Sequence, residues 1–324
     1  MYALEQKRTF SRINHSKNVR PVVETYILVT IKHEVNKVME KKLIAIDMDG
    51  TLIGENGVSE EDREAILTAR DAGHIVVIVS GRSHESILEL LAEIELADLP
   101  ISGSNGAITL VDGKEISRVS MSKSLVQQVV NYLDDFAYPF LIYTSTGVYS
   151  KVDFLDRVRE AFATSTGVVG SPFETYEFMA EYSKNHGVIH YEMLSEIFAI
   201  TPDIFKIFVF LPDPKKKEVC TNFMLSLDDV TLTSSYVDNI SVSSANGHKG
   251  TGVLALANHF GIPLAHTIAI GDNLNDLEML KIAGLSIAME NAEPAVKDAA
   301  DVITLSNLQS GVARAIKQYV LVNS

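Results

Sequence analysis

Strand-length apolar runs alternate with segments of helical spacing through most of this sequence, and that alternation limits the folds open to it. "KLIAIDMD" and "HIVVIVSGR" are short apolar runs, and "SEEDREAILTARDAG" between them has the 3.6-residue spacing of a helix. Ser59 is placed to cap this helix at its N-terminus and Gly73 to end it. Apolar strands separated by amphipathic helices predict a parallel sheet covered by helices on both faces.

The same pattern returns near the C-terminus, in "HTIAIGDNLNDLEMLKIAG" and "DVITL", after a stretch of different character. That stretch has helical segments such as "KSLVQQVVNYLDDF" and strand-like ones such as "IFKIFVFL". We therefore predict an α/β protein whose doubly wound parallel sheet is formed by residues 39–121 and 242–324. Residues 122–241 are predicted to form an inserted α+β domain.

Residues 1–38 differ from the rest in charge and in pattern. They contain seven Lys and Arg against three Asp and Glu, and they show no sustained period. Met39 opens "MEKKLIAIDMDGTL" a few residues before the first core strand, which resembles a natural start. We predict that residues 1–38 lie outside the fold as upstream sequence read from an early start codon; a real but dispensable extension is the alternative.

Composition excludes several classes of protein. The chain has 324 residues, 46% of them hydrophobic, and no apolar run approaches the roughly 20 residues that span a bilayer. Its net charge of -14 opposes the attraction to phosphate backbones on which nucleic-acid binding depends. The single cysteine, Cys220, fits a reducing compartment, so we expect a cytoplasmic protein. The sequence leaves the oligomeric state open.

Two carboxylates, Asp47 and Asp49, follow the first predicted strand and are one residue apart. Ligands of open α/β sheets bind beyond the carboxyl ends of the strands, and flexible Gly50 comes directly after the pair. Two carboxylates in a poorly hydrated site repel each other unless one holds a proton or a cation lies between them. Mg²⁺ fits because it takes one or two carboxylates together with waters and phosphate oxygens. A solvated turn is the alternative, whereas a calcium loop is excluded because its glycine would come sixth.

Three further segments place polar residues at strand ends or helix starts. Ser80 and Gly81 in "VVIVSGR" can present a hydroxyl and backbone N–H groups to an anion. Lys249 in "GHKGTG" precedes a predicted helix, without the spacing of a Walker loop. Each segment alone is an ordinary cap, turn or solvated charge, but the combination indicates a phosphate and metal site. The last segment, "IAIGDNLNDLEML", supplies Asp272, Asn275 and Asp276.

In this order the segments resemble the four motifs of the haloacid dehalogenase superfamily of phosphohydrolases, specifically its Cof-type branch. They are "DMDGT", the serine of "VSGR", the lysine of "HKGTG" and "GDNLND"; "SGSNGA" is similar to a further segment of that branch. The resemblance covers residues 39–324. It implies a Rossmann-like core, with the insertion as the α/β cap domain that this branch carries between its serine and lysine motifs.

The resemblance implies different roles for the two neighbouring acids. Asp47 would attack phosphorus and form an aspartyl-phosphate, which splits one hard hydrolysis into two easier steps. Asp49 would donate a proton to the leaving alcohol and later take one from water. Mg²⁺ would be held by Asp47, by Asp49 through its backbone carbonyl, and by Asp272.

The resemblance also assigns groups to the phosphate. Lys249 would offset the negative charge on Asp47 and on the phosphoryl oxygens. The phosphoryl oxygens would be bound by Ser80 and by the backbone around Gly50 and Gly81.

Four more residues are expected beside this site. Asn275 and Asp276 would orient the lysine or the waters of the metal. Arg82 and Asn105 lie at the core side of the junction with the cap and are expected to touch substrate. For Arg82 a structural ion pair is the alternative.

The resemblance implies a Mg²⁺-dependent phosphatase that acts on small organic phosphate monoesters, with sugar phosphates as the expected substrates. The cap would select the leaving group, and no motif identifies which cap residues do so. Two alternatives stay open: a phosphomutase with the same chemistry, and a non-catalytic regulator that binds a phosphorylated metabolite. Phosphate release from substrate separates both from a phosphatase.

Overall fold

The computed structural model describes residues 40–55, 57–165, 176–185, 187–201, 203–234 and 237–321. The prediction for residues 1–38 falls outside them. Within the described chain, no helix has the length and apolar character needed to cross a membrane.

The described residues form strands and helices in the following order. The strands are β1 (Leu43–Ile46), β2 (Ile53–Gly54), β3 (Gly57–Val58), β4 (Ile75–Val79), β5 (Ile101–Gly103), β6 (Ile108–Val111), β7 (Lys114–Arg118), β8 (Phe140–Thr144), β9 (Gly147–Lys151), β10 (Ile189–Tyr191), β11 (Ile204–Phe210), β12 (Val230–Thr233), β13 (Asn239–Ser244), β14 (Thr267–Gly271), β15 (Leu285–Ala288) and β16 (Val302–Ile303). The α-helices are α1 (Glu60–Asp71), α2 (His84–Glu93), α3 (Lys123–Asp135), α4 (Phe154–Ala163), α5 (Tyr176–Asn185), α6 (Leu194–Ile200), α7 (Pro214–Leu225), α8 (Lys249–Phe260), α9 (Leu277–Ile282), α10 (Pro294–Ala299) and α11 (Gly311–Tyr319).

A large sheet of eight strands forms the core, in the order β16-β15-β14-β1-β4-β5-β6-β7. The strands from β16 to β5 are parallel, and β6 and β7 add an antiparallel edge. β1 is fully buried and lies between β14 and β4, which explains its uninterrupted apolar sequence. The predicted parallel sheet, assembled from the two ends of the chain, is confirmed.

The predicted helix signals are present at α1. The Ser59 hydroxyl accepts a hydrogen bond from the backbone N–H of Asp62 at 3.1 Å, which satisfies one of the otherwise unpaired groups at the helix start. The helix ends at Asp71, and Gly73 follows with a φ of +89°. Gly73 thereby takes a left-handed conformation that glycine adopts without steric cost.

A second sheet of six strands forms the cap, in the order β10-β9-β8-β11-β13-β12. Its pairings are antiparallel except that β9 and β10 run parallel. Helices α3 to α7 belong to the same stretch of chain, so this insertion is the predicted α+β domain. The cap sheet extends through Ser244 at the end of β13. Buried apolar residues form one large cluster in the core and separate clusters in the cap.

Helix α8 packs against the core unusually closely. At Gly252, a Cβ atom would lie 2.0 Å from the Ser102 hydroxyl and 2.8 Å from its Cβ. At Gly250, a Cβ atom would lie 2.7 Å from the backbone carbonyl of Glu278. Because Lys249 is the first residue of this helix, these contacts set the position of its side chain.

We therefore expect Gly252→Ala to destabilise the protein. Alanine normally stabilises a helix by about 1 kcal/mol relative to glycine, but here its methyl group would collide with Ser102 and cost roughly 1–3 kcal/mol. Urea denaturation measures the difference. The matched control is Asn258→Ala, at an exposed position of the same helix. If Gly252→Ala were as stable as the parent protein, α8 would not be held by this contact.

Candidate active site

A buried lysine joins two carboxylates at the carboxyl ends of β1 and β14. The Lys249 Nζ donates a hydrogen bond to Asp47 Oδ1 at 2.5 Å and a second, very short one to Asp276 Oδ1. All three side chains are at most 4% exposed. Burying a charge is unfavourable unless an opposite charge is paired with it. The positive charge of Lys249 and the negative charges of Asp47 and Asp276 therefore stabilise one another in this triad.

The remaining oxygen of Asp276 is held by the backbone. Asp276 Oδ2 accepts hydrogen bonds from the N–H groups of Asp272 and Asn273, both at 2.9 Å. A 3₁₀ turn over Leu274–Asp276 brings the carboxylate back to the start of its own loop. Asp276 therefore bonds both the lysine and the loop that carries Asp272.

Asp272 follows β14 and lies beside the loop after β1. Its Oδ1 accepts a hydrogen bond from the Thr51 hydroxyl at 2.7 Å. Gly50 has a φ of +86°, and a Cβ atom there would lie 2.3 Å from Asp272 Oδ2. Glycine is thus required at position 50 both by its backbone conformation and by the approach of this carboxylate. Thr51 stands in the "DMDGT" segment but was not predicted as a site residue.

Three carboxylates outnumber the single lysine in this cluster. Burial, together with the negative charges of Asp276 and Asp272, raises the pKa of Asp47, against the opposing effect of Lys249. Burial also raises the pKa of Asp272, to about 6. Burial disfavours the charged form of Lys249, but Asp276 and Asp47 outweigh it and raise the pKa of the lysine. The cluster has an excess of negative charge that a bound cation would neutralise.

The donor atoms for a cation are close together. Asp47, Asp272 and Asp276 each offer a carboxylate oxygen, and these oxygens lie within 4.8 Å of one another. All-oxygen donors in a partly buried position suit a hard divalent cation such as Mg²⁺. Because both oxygens of Asp276 already accept hydrogen bonds, Asp47 and Asp272 are the better placed direct ligands.

The Asp49 carboxylate faces away from this cluster and pairs with Arg82. The Arg82 Nε donates to Asp49 Oδ2 at 2.9 Å, and Nη2 donates to Oδ1 at 2.6 Å. The Asp49 side chain is 54% exposed, whereas that of Asp47 is 4% exposed. Side chains two residues apart share one face of a strand, but β1 ends at Ile46 and the chain turns between Met48 and Gly50, so the two acids face different surroundings.

The segments that carry Ser80, Asn105 and Asn275 contact one another, and the backbone N–H of Asn105 donates a hydrogen bond to the Ser80 carbonyl at 2.9 Å. The Ser80 hydroxyl is buried and accepts a hydrogen bond from the backbone N–H of Arg82 at 3.2 Å. The Asn275 side chain donates to Asn105 Oδ1 at 3.1 Å. The contact of Asn275 is thus with Asn105 rather than with Lys249. Gly81 lies beside both, since a Cβ atom there would be 3.0 Å from Asn105 Oδ1.

A cavity of about 980 Å³ opens between this site and the cap. Its core side includes Asp47, Asp49, Gly50, Gly81, Arg82, Asn105, Asp272 and Asn275, so eight of the eleven predicted residues line it. Ser80, Lys249 and Asp276 lie behind this surface. The cap side is lined by residues that the sequence did not single out, among them Tyr143, Lys206, Phe208 and Thr233. One signal was available: Lys206 places a charge inside the apolar strand "IFKIFVF".

The family model for haloacid dehalogenase-like hydrolases matches residues 44–316, almost the whole of the described chain. The chain belongs to the haloacid dehalogenase-like hydrolases. The resemblance predicted from the four motifs is confirmed.

Relatives of this haloacid dehalogenase-like hydrolase match it over nearly their full length. Phosphatase YwpJ of Bacillus subtilis is 30% identical over 282 residues, which is 85% of this chain and 99% of the relative. 5-Amino-6-(5-phospho-D-ribitylamino)uracil phosphatase YwtE of the same organism is 31% identical over 281 residues, 86% of this chain and 97% of the relative. These relatives confirm the predicted class of enzyme, a phosphatase.

Solved structures support the fold of this haloacid dehalogenase-like hydrolase. A haloacid dehalogenase-like hydrolase from B. subtilis superposes with a TM-score of 0.73 at 29% identity, over 86% of this chain and all of the other. The core with an inserted cap is thus an architecture already known in experimental structures.

Removing the lysine of the buried triad should cost far more stability than removing a lysine from an exposed ion pair. Lys249→Met leaves Asp47 and Asp276 buried without their cation, and breaking such a pair costs roughly 3–5 kcal/mol. Lys281→Met breaks an exposed pair with Glu278 and should cost under about 0.5 kcal/mol. Denaturant unfolding at pH 8 compares them. Equal losses would show that the triad does not hold the site together.

Proposed function

We propose that this protein is a Mg²⁺-dependent phosphatase that hydrolyses small organic phosphate monoesters through an aspartyl-phosphate on Asp47. The observation that carries the proposal is the position of Asp47. Asp47 is buried and accepts a hydrogen bond from Lys249. One of its carboxylate oxygens lies within 4.8 Å of carboxylate oxygens of Asp272 and Asp276, and Asp47 also lines the cavity. A carboxylate fixed and partly neutralised in this way can approach an anionic phosphate without prohibitive repulsion.

The proposed metal position uses the carboxylates of Asp47 and Asp272. When bound there, Mg²⁺ would neutralise charge on the phosphate and on the attacking carboxylate. Asp49 would contribute its backbone carbonyl, as the family resemblance implies, because its carboxylate is turned to Arg82. Asp276 would act on the site through Lys249 and through the backbone of the loop.

The two proposed chemical steps each form one bond to phosphorus and break one. In the first, an Asp47 oxygen attacks phosphorus, the bond to the leaving oxygen breaks, and that oxygen takes a proton from Asp49. In the second, water attacks the aspartyl-phosphate, gives its proton to Asp49, and the bond from phosphorus to Asp47 breaks. For Asp49 to reach the leaving oxygen, the substrate has to displace part of the Arg82 ion pair.

The groups proposed to bind the transferred phosphoryl oxygens surround the same point. Lys249 supplies a fixed positive charge, and the backbone N–H groups near Gly50 and Gly81 supply neutral donors in the cavity wall. Ser80 is proposed to assist through its buried hydroxyl, which accepts a hydrogen bond from the Arg82 backbone N–H. Arg82 and Asn105 are proposed to contact the substrate, since both line the cavity.

Sugar phosphates remain the proposed substrates, with no nucleic-acid or membrane partner and a cytoplasmic location. The cavity of about 980 Å³ also has room for a larger leaving group than a single sugar. One B. subtilis relative is named for 5-amino-6-(5-phospho-D-ribitylamino)uracil, a polyol phosphate that carries a heterocycle. A phosphate-release screen over sugar phosphates, nucleotides, pyridoxal phosphate, flavin mononucleotide and this compound tests the range. Absence of release from all of them would contradict a phosphatase.

Metal dependence provides a direct test of the cluster. Turnover should vanish with a chelator and return with Mg²⁺, and Mg²⁺ should raise the melting temperature because it binds only the folded site. Asp272→Asn should abolish that thermal shift and most of the activity. Asp301→Asn, at an exposed carboxylate bonded to Ser286, is the control and should keep both responses. Full turnover in chelator would exclude the metal.

The two neighbouring acids can be separated with a substrate whose leaving group needs no proton. Asp47→Asn removes the nucleophile, so turnover should fall to background on every substrate. Asp49→Asn removes a proton donor worth roughly 10²- to 10⁴-fold, so it should lose more activity on a sugar phosphate than on an aryl phosphate.

Rapid quenching of Asp49→Asn with the aryl phosphate should show a product burst near one equivalent, with label from the phosphate retained on the protein. If Asp49→Asn lost equal activity on both substrates and retained no label, while Asp47→Asn did retain it, the two roles would be reversed.

A further inference from the structure

Lys206 is the one charged side chain that the described cap residues contribute to the cavity wall. It lies on β11, at the centre of the cap sheet, and points toward the core across the same cavity that Asp47 lines. Its neighbours along the cavity-facing side of β11 and β8 are Phe208 and Tyr143. A half-buried lysine here faces whatever part of the substrate extends from the phosphate toward the cap.

The contacts of Lys206 within the described chain are with neutral groups. Its Nζ donates a hydrogen bond to the backbone carbonyl of Gly81 at 3.1 Å and lies 4.4 Å from the centre of the Tyr143 ring. Among the described residues, no carboxylate forms an ion pair with it. Lys249 differs sharply, because it has two carboxylate partners.

A desolvated ammonium with neutral partners has an unbalanced charge. Burial lowers the pKa of Lys206 to about 8, with no opposing carboxylate to raise it. A carbonyl oxygen and an aromatic face compensate only part of the lost hydration. An oxyanion delivered by a ligand would compensate more of it, since hydrogen bonds between charged partners are about twice as strong as neutral ones.

We propose that Lys206 binds a second oxyanion, a carboxylate or phosphate group carried by the leaving group, and so selects phosphate monoesters with an anionic leaving group over sugar phosphates whose leaving group is uncharged. This inference rests on the proposed function, because it concerns the leaving group of the phosphatase substrate. Tyr143 and Phe208 would pack against the carbon chain between the two anionic ends.

The transferred phosphate is not the partner assigned to Lys206. That group already has Lys249, backbone donors and the proposed cation on the core side. Lys206 instead belongs to the cap and lies among the cap residues that line the cavity. Its hydrogen bond to Gly81 holds it over the boundary between the two regions.

Two matched substrate pairs test the proposal. Glucose 6-phosphate and 6-phosphogluconate differ by a carboxylate at the far end, and fructose 6-phosphate and fructose 1,6-bisphosphate differ by a phosphate. For each pair the measurement is the kcat/KM of the compound with the second anionic group divided by the kcat/KM of the compound without it. Lys206→Met should lower this ratio roughly 10- to 100-fold in at least one pair, which identifies the oxyanion, through a higher KM.

Two further variants test whether the charge of Lys206, rather than its contact with Gly81 or a general effect on the cap, determines the ratio. Lys206→Gln keeps a donor for the Gly81 carbonyl but loses the charge, so it should lower the ratio as Lys206→Met does. Lys215→Met removes an exposed lysine from α7 of the same cap and should leave the ratio unchanged.

An unchanged ratio in both Lys206 variants would overturn the proposal, even if both variants lost turnover on every substrate. Lys206 would then contact the transferred phosphate or help to position the cap, and it would not bind a second oxyanion. A wild-type enzyme that hydrolyses only glucose 6-phosphate and fructose 6-phosphate, which lack the second anionic group, would overturn it as well. Absence of turnover on all four compounds and in the wider screen would instead contradict the proposed phosphatase function.

Discussion

The buried ion triad of Lys249 with Asp47 and Asp276 is the interaction on which the rest of the site depends. Without the lysine, two carboxylates would be confined in a poorly hydrated space and would have to take up protons or separate. With it, Asp47 is held at the cavity wall, and Asp276 fixes the backbone of the loop that carries Asp272. One ammonium group thus positions the proposed nucleophile and, indirectly, a candidate metal ligand.

The fold supplies this triad from three distant parts of the chain. β1 and β14 pair directly, Ile46 opposite Ile270, so the acids that follow them emerge side by side. Lys249 begins helix α8, which follows the cap insertion in the sequence. Gly250 and Gly252 allow this helix to pack closely against the core, and that packing positions the lysine. The cap can therefore vary without disturbing the chemistry, because its sheet has its own buried cluster. The buried triad thus belongs to the core, whereas the cap contributes the facing wall of the cavity.

The core of the site could be predicted from sequence because its residues stand at element boundaries, where strand and helix patterns locate them. The pairing of Asp49 with Arg82 could not, since the motif gives the spacing of the acids but not the direction in which each carboxylate turns. The contact of Asn275 with Asn105 also depends on how two loops meet in space. Lys206 was not predicted as a site residue for a similar reason. The sequence predicts its strand from an apolar run, but which face of that strand lines the cavity is set by the packing of the whole cap.

The most direct test of the central claim is to locate the covalent intermediate. The enzyme would be quenched in acid during turnover, treated with labelled borohydride to reduce any acyl-phosphate to the corresponding alcohol, and digested for mass spectrometry. We predict that residue 47, and no other carboxylate of the cluster, is converted to homoserine, and only when Mg²⁺ and substrate are both present. Label on Asp49 or Asp272, or turnover with no label at any aspartate, would contradict it.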